Sequence, residues 1–148
     1  MGLKFRQYVL VGNENSWKIG LNNKIWGFKE TNYGLWNKTR EGEFLMFYVT
    51  SPISKIIGVG QVEKKYIDDL IVWPEEKFAN RSLWKYKFKL KILKTVSYDN
   101  GISKPNDLML NVGRKVLGKN QFLSLLQEAD KKWKSNLTEI FQKSDFKN

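Results

Sequence analysis

The chain has 148 residues, with 26 Lys and Arg against 15 Asp and Glu, a formal net charge of +11 at pH 7, and neither Cys nor His. That length is one ordinary domain, residues 1–148, and the missing residue types remove disulfides, thiolate zinc sites, cysteine nucleophiles, histidine triads and imidazole ligands. Most hydrolase chemistry is thereby excluded, no cofactor is expected, and the surplus of cations points to a polyanionic partner.

The opening residues MGLKFRQ hold no apolar signal-like stretch, and no run approaches the roughly 18 apolar residues of a membrane span, so a soluble, cytoplasmic protein is expected. Tyr8-Val9-Leu10-Val11, ending at Gly12, reads as a buried strand. Asn13, Asn15 and Ser16 are candidate caps of a short helix running through Ile19 and Leu21 and closed by Asn22-Asn23. Ile25-Trp26-Gly27-Phe28 follows as a brief extended piece, and residues 29–43, polar and interrupted by Gly34 and Gly42, read as a loop.

Phe44–Val49 is a near-continuous apolar strand, and Ile56–Val62 is its hairpin partner across Ser51-Pro52-Ile53-Ser54. Gly58 and Gly60 inside the second strand predict a bulge or a close backbone approach. In residues 84–93, Trp84, Tyr86, Phe88, Leu90 and Ile92 alternate with Lys85, Lys87, Lys89 and Lys91, the pattern of a half-buried strand with lysines outside. That stripe suits either phosphate contact or protection of a sheet edge. Phe122, Leu125, Leu126, Ala129 and Trp133 have helical spacing, and Leu137, Ile140 and Phe141 continue it after Ser135. The order of elements predicts an α+β domain with a bent mixed sheet or open barrel flanked by short helices.

Asp68-Asp69 and Glu75-Glu76 are the clustered carboxylates an enzyme would use, but neighbours in a strand point to opposite faces, so solvated carboxylates and no enzyme are the expectation. No Walker-type phosphate loop is present, since GVGQVEKK lacks the Gly-Lys-Ser/Thr ending. Aromatic side chains near basic ones remain, a combination that binds unpaired bases by stacking, at about 1–3 kcal/mol per base. Trp26 stands at the mouth of the polar loop, and Trp73 and Phe78 flank Pro74-Glu75-Glu76.

From Gly12 to Val62 the chain resembles EVE and YTH domains of the PUA-like superfamily. The resemblance rests on the opening strand YVLVG, the Asn-containing turn NENSW, Ile25-Trp26-Gly27-Phe28, the Gly-Glu lead-in to GEFLMFYV and the glycine-interrupted IIGVGQV. It implies a PUA-like fold and a reader that flips a modified base into an aromatic cage. N6-methyladenine is the first choice, and 5-methylcytosine or 5-hydroxymethylcytosine the next. The cage walls implied are Trp26, Trp73 and Phe78, with Asn13, Asn15 and Gly27 at the base edge, the asparagines having helix capping as their other reading. Gly113-Arg114 resembles a phosphate-contacting element of YTH domains, although Lys115 stands where those carry Asp. Arg81, Lys85, Lys87, Arg114 and Lys115 form the implied phosphate-binding set. The partner implied is nucleic acid, as single-stranded RNA or as a base flipped from DNA, and such domains also occur with McrB-type restriction motors, which adds a partner nuclease or motor. The alternative is a general PUA-type RNA-binding protein, for tRNA or ribosomal RNA, without preference for a modified base.

Overall fold

The computed structural model describes residues 5–110 and 113–146. Its centre is one six-stranded sheet, curled into a half-barrel, with strand order β2-β5-β4-β3-β1-β6. The strands are β1 (Gln7–Gly12), β2 (Ile25–Phe28), β3 (Phe44–Val49), β4 (Lys55–Ile67), β5 (Tyr86–Thr95) and β6 (Gly113–Leu117). β1 runs parallel to β3, and the other neighbours are antiparallel. The mixed α+β architecture expected from the sequence is therefore present.

β1 and β3 are buried on both faces, which is why they read as unbroken apolar runs and not as alternation. One face, with Val9, Val11, Met46 and Ile56, packs on α4 (Lys119–Trp133) and α5 (Leu137–Phe146) through Phe122, Leu125, Leu126, Ala129, Trp133 and Phe141. The other face, with Tyr8, Leu10, Leu45 and Phe47, covers Trp17 of α1 (Glu14–Asn23), Trp26 of β2 and Trp36 of α2 (Tyr33–Lys38). The helical periodicity of the C-terminal third is thus a core-facing stripe.

Residues 29–43 depart from the expected loop. They form a short 3-10 turn, Glu30–Asn32, and then α2, whose Trp36 is buried and donates its indole N–H to the carbonyl of Lys87 at 3.0 Å. Gly34 sits in open space, so burial of Trp36 outweighs the poor helix propensity around it. The lysine-striped strand begins two residues later than expected, which leaves Trp84 and Lys85 outside β5. Lys87 is not solvated either. Residues 68–70 cross over it, so its ammonium is buried, paired with the Asp68 carboxylate and bonded to the carbonyl of Leu70 at 3.1 Å.

Gly58 and Gly60 are where β4 is crossed at close range. A Cβ on Gly60 would lie 2.6 Å from the Lys91 carbonyl oxygen and 2.8 Å from the Phe47 ring, neither of which can swing aside. Gly60→Ala is expected to destabilise the fold by about 1–3 kcal/mol, the usual cost of overpacking, read as a lower urea midpoint at an unchanged slope.

Candidate nucleic-acid interface

Where β1 ends and α1 begins, the chain borders a cavity of about 390 Å³, within the span of ~300–1,000 Å³ usual for small-ligand pockets. Asn13 and Ser16 line it from the start of α1, Trp26 and Gly27 from β2, Lys29 from just after β2, and Trp73, Glu75, Leu83 and Trp84 from the segment between β4 and β5. Asn32 and Gly113 complete the rim.

Trp26 is held from behind. Its ring stacks on Trp17 at 4.0 Å between centroids and 21° between planes, and a Cβ on Gly12 would meet it at 2.3 Å. Only 6% of Trp26 and 3% of Trp73 is exposed, so most of each ring belongs to the core and its remainder faces the cavity. Trp84, half-buried, is the more open wall; it meets Trp73 edge-on at 5.5 Å, and the Lys29 ammonium stands 5.6 Å from the centre of its ring.

Glu76 arranges the two tryptophans that arrive from the β4–β5 segment. Pro74 opens α3 (Pro74–Ala79), and Glu76, at the third helical position, turns its carboxylate back to accept from the backbone N–H groups of Val72 and Trp73 at 3.0 and 3.1 Å. The other carboxylate oxygen accepts from the N–H groups of Leu83 and Trp84 at 2.8 and 3.1 Å and from the Ser82 hydroxyl at 3.2 Å. Burial alone would raise its pKa, but these donors outweigh burial and hold it below the ordinary carboxylate range. Glu76 is fully buried, which corrects the expectation of a solvated carboxylate.

Gly27 supplies the floor. A Cβ there would lie 2.6 Å from Trp84 Cβ and 3.1 Å from the Trp73 ring, so only glycine lets both indoles approach this strand. β2 is an edge strand, and Leu90 N–H donates to the Lys24 carbonyl at 2.8 Å; because antiparallel bonding alternates, the N–H and C=O of Gly27 point away from β5 to the open edge. Asn13 is both cap and lining residue. Its Oδ1 accepts from Ser16 N–H at 2.8 Å, and no described residue accepts from its amide Nδ2.

The structure brings Trp26, Trp73, Asn13 and Gly27 together and leaves the other named residues outside the cavity. Phe78, expected as a wall, projects from α3 into solvent at 96% exposure; Trp84 stands at the cavity instead. Asn15 is exposed on α1 away from the lining. Lys87 is locked in its ion pair, Arg81 and Lys115 are exposed, and Lys85 is half-buried, none of them at the rim. Arg114 lies 4.1 Å over the Tyr8 ring and donates to the Thr39 hydroxyl at 2.9 Å, while burial draws its pKa down against the nearby Tyr8 and Glu43. Of the carboxylates weighed for catalysis, Glu75 alone lines the cavity, and among the described residues no three His, Cys, Asp or Glu side chains could hold a metal ion. Trp84 was hidden in the lysine alternation, where an inward-facing strand position and a wall look alike.

The fold is shared with solved structures of two families. ASCH from Zymomonas mobilis matches with a TM-score of 0.59 at 11% identity, over 82% of this chain and 94% of that one. The Mmi1 YTH domain matches with a TM-score of 0.61 at 11% identity, over 89% and 92%. The YTH domain of the MRB1 protein of Zygosaccharomyces rouxii, solved in complex with N6-methyladenosine RNA, matches at 0.56 and 14%, over 84% and 86%. The fold is the PUA-like one of ASCH and YTH domains. No protein-family model and no curated protein sequence matches the chain.

Glu76→Gln is expected to cost about 2–3 kcal/mol at neutral pH, because an amide accepts less strongly than a carboxylate from the donors gathered there. A carboxyl with a depressed folded pKa stabilises the fold fully above the ordinary carboxylate range and loses that contribution as pH falls through its folded value. The gap between wild type and Glu76→Gln, measured by urea unfolding, therefore narrows as the pH is lowered below that range.

Proposed function

We propose that this protein binds RNA and receives one unpaired, modified base, N6-methyladenine first, in the cavity walled by Trp26, Trp73 and Trp84. The observation that carries the reading is the meeting of three indoles with polar groups that no described residue bonds, Gly27 N–H and C=O and Asn13 Nδ2, at an open sheet edge in a chain of net charge +11. An adenine edge presents both donors and acceptors, so the Gly27 carbonyl suits the exocyclic N–H and the Asn13 amide suits a ring nitrogen. A methyl group on that amine gains apolar contact with the indoles, and Lys29 is the lining cation closest in character to a phosphate contact. The shared fold with a YTH domain solved on N6-methyladenosine RNA supports the same choice of ligand.

Discrimination of one methyl group in such a pocket is worth about 1–3 kcal/mol. Fluorescence anisotropy on matched single-stranded RNA and DNA oligonucleotides, each with adenine or N6-methyladenine, is expected to show a methyl preference for RNA of about 5- to 150-fold. Trp84→Ala should abolish that preference while the fold survives, because this indole is the least embedded of the three. Equal, salt-sensitive binding of all oligonucleotides by both proteins would refute the N6-methyladenine reading and leave a basic RNA-binding or DNA-binding module, or a reader of a different base.

A further inference from the structure

The end of β4 and the segment from there to β5 keep several large apolar side chains in water. Ile67, Leu70 and Ile71 are 58%, 66% and 39% exposed, and Phe78 is 96% exposed. Phe78 stands three residues after Glu75 on α3, so the two share a helical face, with about 5–6 Å between their Cβ atoms. Glu75 lines the cavity, which places the Phe78 ring one helical turn beyond the rim. Lys77 and Arg81, both exposed, flank it in sequence, and neither makes an ion pair among the described residues.

We infer that Phe78 is a stacking platform for the base of the nucleotide next to the one in the cavity, with Lys77 and Arg81 meeting the phosphates of that stretch. The inference rests on the cavity being a base pocket and adds a second subsite to it. An exposed phenyl ring between two cations has the composition of a single-strand binding surface, since every base offers a π-face and every linkage a negative charge. A lone exposed phenylalanine is unremarkable, but one a single turn from a base-sized cavity lies where the neighbouring nucleotide of a strand must pass. Sequence preference at this position is weak, because stacking tolerates any base.

The test compares two probes on wild type, Phe78→Ala and Phe78→Trp: N6-methyladenosine as a free nucleoside, by calorimetry, and a nine-nucleotide RNA carrying one N6-methyladenine, by anisotropy. Phe78→Ala is expected to weaken RNA binding by the equivalent of one stack, about 5- to 150-fold, with nucleoside binding within twofold of wild type and Phe78→Trp restoring the RNA affinity. Unchanged RNA affinity in Phe78→Ala, with the nucleoside still bound, overturns the inference alone. A wild type that binds no nucleoside overturns the pocket and the second subsite together. Sedimentation of the same proteins separates a third result: self-association lost in Phe78→Ala without loss of RNA affinity makes the patch a contact between copies and also overturns the inference.

Discussion

The Trp17 indole is the piece on which the rest of the molecule depends. It is fully buried, donates its N–H to the Tyr48 carbonyl at 2.8 Å, and carries Trp26 at 4.0 Å and Phe47 at 4.8 Å between ring centres. α1, β2 and β3 are thereby tied to one side chain. Phe47 extends the chain of contacts to β4, where its ring lies against Gly58 and Gly60 and leaves no room for a Cβ. The ring fills the space that side chains at Gly58 and Gly60 would take on the same face of the sheet, and glycines inside a strand allow a sharp bend there. The hollow beside Trp26 exists because that ring is fixed from behind and cannot collapse into it.

Charge inside the protein is used to hold segments that apolar packing does not reach. Glu76 gathers four backbone N–H groups, Lys87 pins the 68–70 crossing through Asp68 and the Leu70 carbonyl, and buried Glu43 accepts from the Arg6 N–H at 2.6 Å and the Tyr8 hydroxyl at 3.1 Å. Glu76 is met by main-chain N–H groups and one hydroxyl, Lys87 by one carboxylate and one carbonyl, and Glu43 by main-chain N–H groups, a hydroxyl and the Arg40 guanidinium 3.9 Å away, so each buried ion has its partners in place. The surplus of positive charge that remains at the surface is then available to a polyanion.

Strands and core helices were legible in the sequence because their periods follow from burial alone: Phe44–Val49 is apolar throughout where both faces are covered, and Phe122 to Trp133 repeats where one stripe is. The cavity was half legible. Trp26 and Gly27 stand in a strand whose edge position depends on which strands pair, and Trp73 announces itself beside Pro74. Phe78 and Trp84 exchange places because the turn made by α3 rotates Phe78 outward, while Glu76, reading as one more surface carboxylate, folds the chain back so that Trp84 meets Trp73. Lys87 was misread for a related reason. Strand alternation fixes the face a residue occupies, but only the path of residues 68–70 decides whether that face is wet.

The placement of the cavity at β2 follows from a conflict that every sheet faces at its margins. An edge strand leaves alternate N–H and C=O groups unpaired, and proteins commonly cover such edges or guard them with charge. Here cover is supplied by two indoles brought in by the Glu76 turn, and they approach only because residue 27 has no side chain to stop them. The same missing side chain leaves the main chain bare beneath them. Aromatic surface and backbone polar groups that no described residue bonds are therefore produced together by one glycine at one edge, and the proposed base pocket rests on that coincidence.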